Sequence, residues 1–155
     1  MPEKAIPITK KGLDNLGHEI EELKSRRKNV AEAIHTAQGH GTSQNDAEYE
    51  HAKQEQSMLE GKIQELEETI RRATLIDEKK VQHAGRIVIG SGIQIENNGK
   101  KTHYKIVGTP EADVSQGLIS NESPIGSALL GHKVGETVDV KVPAGIQTIK
   151  IVKID

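Results

Sequence analysis

Two mirrored series of apolar residues constrain the folding of this chain more than any other feature. From Leu13 the apolar positions fall at Leu13, Leu16, Ile20, Leu23, Val30, Ile34 and Ala37, with Arg27 in the one gap, so the spacing alternates three and four. A second series runs through Tyr49, Ala52, Gln56, Leu59, Ile63, Leu66, Ile70 and Ala73, with Gln56 as its polar member. Each is a heptad seam, the pattern of a helix that buries one narrow stripe against a partner. The seams mirror each other about Ser43: Leu13 falls opposite Ala73, Leu16 opposite Ile70, Ile20 opposite Leu66, and so inward to Ala37 opposite Tyr49. An antiparallel hairpin demands this, because facing layers must lie equally far from the turn. At 1.5 Å per residue the arm from Leu13 to Ser43 is about 45 Å long. Arg27 and Gln56 interrupt the distal half of the seams, so the tip is expected to be less stable than the base.

Between the seams lies Gly39-His40-Gly41, which stops a helix because glycine takes non-helical angles at little steric cost. Thr9 or Asp14 is expected to cap the first helix, and Asn45 or Asp46 the second, through a short side chain that accepts from first-turn amides.

The period changes to two after residue 84. The segment RIVIGSGIQIENNGKKTHYKIVG predicts a strand, a second strand, a turn at Asn97-Asn98-Gly99 and a third strand. NESPIGSALLG predicts a short helix that starts at Ser123-Pro124 and closes at Gly131, and two more strands flank Pro143-Ala144-Gly145. The expected class is α+β: a coiled-coil hairpin over residues 1–76 with its tip at about 39–46, a charged linker at 77–84, and a mostly antiparallel sheet domain over 85–155.

Composition narrows the function. Aromatic content is 1%, only Tyr49 and Tyr104, so the stacking platforms that hold single-stranded nucleic acid are missing. Residues 1–80 hold 13 Lys/Arg against 16 Asp/Glu, and residues 81–155 hold 8 against 7, so neither half is a basic nucleic-acid module. The absence of cysteine removes disulfides, zinc ribbons and thiol nucleophiles. No stretch has the length and apolarity of a signal peptide or a spanning helix, and a cytoplasmic protein with no membrane partner is expected. His35, His40 and His51 lie near the tip, but none forms a one-face pair of zinc ligands. GRIVIGSG lacks the Lys-Ser/Thr ending of a phosphate loop.

The stretches AIPITKKGLDNL, EELKSRRK, HGTSQNDAEYEHAKQEQ, GKIQELEETI and LISNESPIGSALLGHKVGETVDVKVPAG resemble the bacterial GreA/GreB transcript-cleavage factors. The resemblance runs nearly end to end. It implies an N-terminal antiparallel coiled coil and a C-terminal FKBP-like domain, the latter docking on RNA polymerase. The coiled coil would pass down the secondary channel to the active centre. There the family's tip helps hold a magnesium ion of the polymerase while the nascent RNA 3′ end of a backtracked complex is cut. The factor itself would be no enzyme, would bind no cofactor alone, and would act as a monomer.

The family tip pattern is Gly-Asp-x-x-Glu-Asn-Ala-Glu-Tyr, and here it reads Gly41-Thr42-Ser43-Gln44-Asn45-Asp46-Ala47-Glu48-Tyr49. Thr42 and Asn45 therefore replace the two acids, and Asp46 and Glu48 are the nearest carboxylates left for a catalytic or metal role. Two-metal hydrolysis favours charged oxygens around a hard cation, so weakened cleavage is expected. The resemblance also makes Arg26, Arg27, Lys28 and Lys53 an RNA-contacting basic patch, against a plain reading as a solvated coiled-coil face with interhelical ion pairs. It makes Ser123, Pro124 and Ile125 part of the polymerase-docking segment, although Ser-Pro is equally an ordinary helix start. Two other functions remain in view: a channel-occupying competitor of active Gre factors, and a peptidyl-prolyl isomerase or chaperone suggested by the FKBP-like half.

Overall fold

The computed structural model describes residues 4–38 and 43–155, with side chains at 4–37 and 47–155. The chain divides into two compact units, one formed by Leu13–Arg72 and the other by Met1–Gly12 with Ala73–Asp155.

The first unit is the helical hairpin. Helix α1 (Lys10–Gln38) begins in the other unit and continues through this one, and α2 (Ser43–Arg72) returns. Every expected seam position is buried or half-buried, Arg27 and Gln56 included. Leu16, Ile20, Val30, Ala52, Leu59, Ile63 and Leu66 are the buried members. Val30, Ala52 and Leu59 form one cluster, with Leu23 and Ile34 packed against it. Charges flank this stripe and pair between helices: Arg26 Nη2 with Glu55 Oε1 at 2.9 Å, Arg27 Nη1 with Glu60 Oε1 at 3.3 Å, and Lys24 Nζ with Glu67 Oε1 at 3.7 Å. Such exposed pairs set register more than they stabilise, each being worth about 0–1 kcal/mol. Gly39-His40-Gly41 lies outside the described residues.

The second unit starts and resumes on either side of the hairpin. Strand β1 (Ile6–Ile8) pairs in parallel with β2 (Ala73–Leu75), an association that no local sequence pattern announced. Helix α3 (Glu78–Gln82), capped by Asp77, occupies the segment expected to be linker. The boundary therefore differs from the sequence expectation: residues 1–12 and 73–84 group with the sheet.

That sheet contains β3 (Gly92–Asn97), β4 (Lys100–Val107), β5 (Leu118–Ser120), β6 (Thr137–Val142) and β7 (Gly145–Ile154), in the order β5-β4-β3-β7-β6. It is mixed, because β4 and β5 run parallel while the other pairs are antiparallel. The Asn-Gly turn is as expected: Asn98 and Gly99 have φ of 53° and 78°, the positive angles a two-residue hairpin of this hand requires. Helix α4 (Pro124–Leu129) covers one face, contributing Leu129 to a core of Ile87, Ile93, Ile95, Ile106, Val140, Ile149 and Ile151.

One expected strand is absent. Residues 86–89 enter the core through Ile87, but their amides go elsewhere. Val88 N–H donates to Ser91 Oγ at 2.9 Å, Ile87 N–H to His132 C=O at 2.9 Å, and Gly131 N–H to Ile87 C=O at 2.8 Å. The serine hydroxyl and the turn after α4 thus take the hydrogen bonds a ladder would have used. Among the described residues, no helix is long and apolar enough to cross a membrane.

Candidate functional site

The tip begins with residues outside the described part of the chain, Thr42 among them. Asn45 and Asp46 fall in the first turn of α2, whose start at Ser43 places both inside the helix rather than at its cap. Their side chains are not described. Glu48 is exposed, one position before the half-buried seam residue Tyr49. Lys53 Nζ sits 5.4 Å from the Tyr49 ring centroid, one helical turn along, within cation–π range.

The four expected RNA-contact residues do not form a single free patch. Arg26 and Arg27 are engaged by Glu55 and Glu60 across the hairpin, and Lys53 lies over Tyr49. Lys28 is exposed and makes no ion pair with a described residue. Successive helical residues point about 100° apart, so Arg26 and Lys28 diverge by about 200°. Interhelical ion pairs of this kind belong to the plain reading of the cluster as a solvated coiled-coil face, which names no partner acids.

The expected docking segment has structural work of its own. Ser123 Oγ accepts from Gly126 N–H at 3.1 Å, which caps α4, and donates to Ser120 C=O at 2.6 Å. Pro124 occupies the first helical turn, where its missing N–H costs nothing, and is exposed. Ile125 is half-buried against the core. Pro124 is therefore the most exposed of the three.

Glu111, which the sequence reading passed over, anchors the root of α1. Its carboxylate accepts from Thr9 N–H at 2.6 Å and from Thr9 Oγ1 at 2.7 Å, and Thr9 Oγ1 accepts from Gly12 N–H at 3.1 Å. Thr9, not Asp14, is thus the cap.

Among the described residues no group of three or more His, Cys, Asp or Glu is placed to hold a metal. The tip donors fit magnesium poorly on chemical grounds: Thr42 and Asn45 offer neutral oxygens where a hard cation favours carboxylates.

A capped helical hairpin inserted into a mixed sheet unit defines a two-part protein with a polar tip and no enclosed catalytic cluster among the described residues. The family model "Transcription elongation factor, N-terminal" matches residues 6–75, and "Transcription elongation factor, GreA/GreB, C-term" matches residues 82–155. The chain belongs to the GreA/GreB family of transcription elongation factors. It is 44% identical over 156 residues to transcription elongation factor GreA of Lactococcus lactis subsp. cremoris (strain MG1363), covering 99% of both chains. It is 41% identical to GreA of Thermomicrobium roseum, again over 99% of each. Among solved structures, GreA factor homolog 1 (Gfh1) of Thermus thermophilus aligns with a TM-score of 0.47 at 29% identity, over 98% of this chain and 99% of that one.

Proposed function

We propose that this Gre-type elongation factor binds RNA polymerase in the bacterial cytoplasm through the segment around Pro124. Its hairpin tip enters the secondary channel, where it acts on backtracked or arrested complexes with weakened stimulation of transcript cleavage. The observation that carries this reading is the pairing of a heptad hairpin with a tip sequence that has Thr42 and Asn45 in place of acids. The polymerase's magnesium supplies the Lewis acid for cutting RNA. Asp46 and Glu48 are the carboxylates this chain brings near it. Charge lost at 42 and 45 removes attraction for the ion without removing the hairpin that delivers the tip.

The test separates binding from chemistry. Pull-down with RNA polymerase measures the first, and a backtracked-complex assay compares the wild type with Thr42→Asp/Asn45→Glu. Binding is retained in both, and cleavage by the double variant is faster by about tenfold or more, equivalent to at least about 1.4 kcal/mol of barrier. Strong cleavage by the wild type that the added acids leave unchanged overturns the reading. A wild type that occupies the channel without cutting also slows an acid-bearing Gre factor in the same assay. An isomerase reading finds little support, since Tyr104, the one aromatic of the sheet unit, packs against the core.

A further inference from the structure

The sheet unit has two electrostatically different sides. Along β3, β4, β6 and β7 alternate residues enter the core under α4, and the intervening ones face away from it. Lys101, Lys105, Lys141, Lys150 and Lys153 all fall on the side facing away, which gathers five of the seven lysines between residues 81 and 155. A bulge makes this possible. Lys153 pairs with Gln94 and Ile151 with Ile95, leaving Val152 as an extra residue. Lys150 and Lys153, three apart, can then both face out while Ile151 and Ile154 face in.

Of the seven acids in the same stretch, Glu111, Asp113, Glu122 and Glu136 lie off these four strands, and Asp155 follows the last residue of β7. Of the acids on the lysine side, Asp155 is occupied by His103 at 2.7 Å and Lys153 at 3.8 Å, and Asp139 accepts from Thr148 at 2.8 Å. Lys101, Lys105, Lys141 and Lys150 make no ion pair with any described residue. At strand spacings of about 4.8 Å and rises of about 3.3 Å, these cations cover a face of about 14 by 13 Å.

We infer that this lysine face, on the side of the sheet away from Pro124, steers the encounter with RNA polymerase by long-range attraction to an acidic protein surface, an inference that rests on the polymerase-binding reading above. Glu96, placed by register between Lys101 and Lys150, repels a uniform phosphate backbone but suits the mixed charges of a protein. The face also lacks the arginine forks and aromatic rings that grip phosphates and bases. Solvated lysines act at long range and are screened by salt, so they change association rates more than dissociation rates.

The test measures association of full-length protein with RNA polymerase for the wild type and for Lys101→Glu/Lys105→Glu/Lys141→Glu/Lys150→Glu. A parallel Gln series guards against misfolding, with circular dichroism as the check. At about 50 mM salt the Glu variant associates roughly tenfold more slowly with an unchanged dissociation rate, and the gap closes at about 500 mM. Equal association rates overturn this inference alone. Failure of the wild type to bind polymerase overturns the underlying reading and this one with it. Lost retention on duplex DNA with unchanged polymerase association also overturns it, assigning the face to nucleic acid.

Discussion

Glu111 holds Thr9 with both carboxylate oxygens, from 102 residues further along the chain, at 2.6 and 2.7 Å. The first turn of α1 is therefore capped twice, once by the threonine hydroxyl and once by the distant carboxylate that orients it. Thr9→Ala removes the two hydrogen bonds of the hydroxyl, to Glu111 and from Gly12 N–H, leaves the backbone N–H bond to Glu111, and costs about 1–2 kcal/mol in urea unfolding. Gly12→Ala drives a methyl group into the Glu111 side chain and displaces it from Thr9. The two lesions act through one contact, so Gly12→Ala costs far less in a Glu111→Ala background; additive losses in the double-mutant cycle contradict the coupling.

Gly108 and Gly126 are held against backbone rather than side chain. A Cβ at Gly108 meets the Pro7 carbonyl oxygen, and one at Gly126 meets that of Ser120. Backbone has no rotamer with which to yield, so alanine at either position lowers stability by about 1–3 kcal/mol. Gly61→Ala, with nothing near it on the surface of α2, gains about 1 kcal/mol from helix propensity alone. Chemical denaturation of the three variants gives the ordering.

In the hairpin, Ile63 is 2% exposed, and Ile63→Ala lowers stability by about 2–4 kcal/mol. The half-buried Gln56 is the opposite case. Leucine there completes the apolar stripe, and Gln56→Leu slows amide exchange through the middle of α2. Unchanged exchange rates show that the polar layer is not a weak point.

A hydrogen bond from His103, together with the charges of His103 and Lys153, holds the Asp155 carboxyl below its ordinary value of 3.8. A lowered folded-state pKa contributes stability that is present above that ordinary value and is lost as pH falls through the folded one. His103→Gln moves the Asp155 midpoint upward toward 3.8, which a carboxyl carbon NMR titration reads directly.

Periodicity made much of the fold legible. The heptad seams named which residues of α1 and α2 turn inward, and Asn98-Gly99 fixed the β3–β4 hairpin, because each signal is local and repeats. The parallel β1–β2 pair, the three-residue β5 and the grip of Glu111 on Thr9 join segments far apart in sequence, and nothing in either partner alone encodes the match. The same limit explains residues 86–89, whose alternation suggested a strand before Ser91 and the turn at 131–132 claimed their amides. For the site, the neutral tip was readable as residue types. Interhelical pairing of the basic cluster was one of its sequence readings, but the particular partners of Arg26, Arg27 and Lys53 depend on which neighbours the helical register brings alongside, and so became visible only in three dimensions.

Strands β1 and β2 lie side by side, with Ile8 opposite Leu75, so the chain leaves and re-enters the sheet unit at neighbouring points. Topologically the hairpin is the crossover of a parallel strand pair, so closing the parent domain without it takes a replacement crossover of about a dozen residues rather than a tight turn. Such a junction lets evolution or an engineer exchange one probe for another while the platform keeps its own hydrogen bonds.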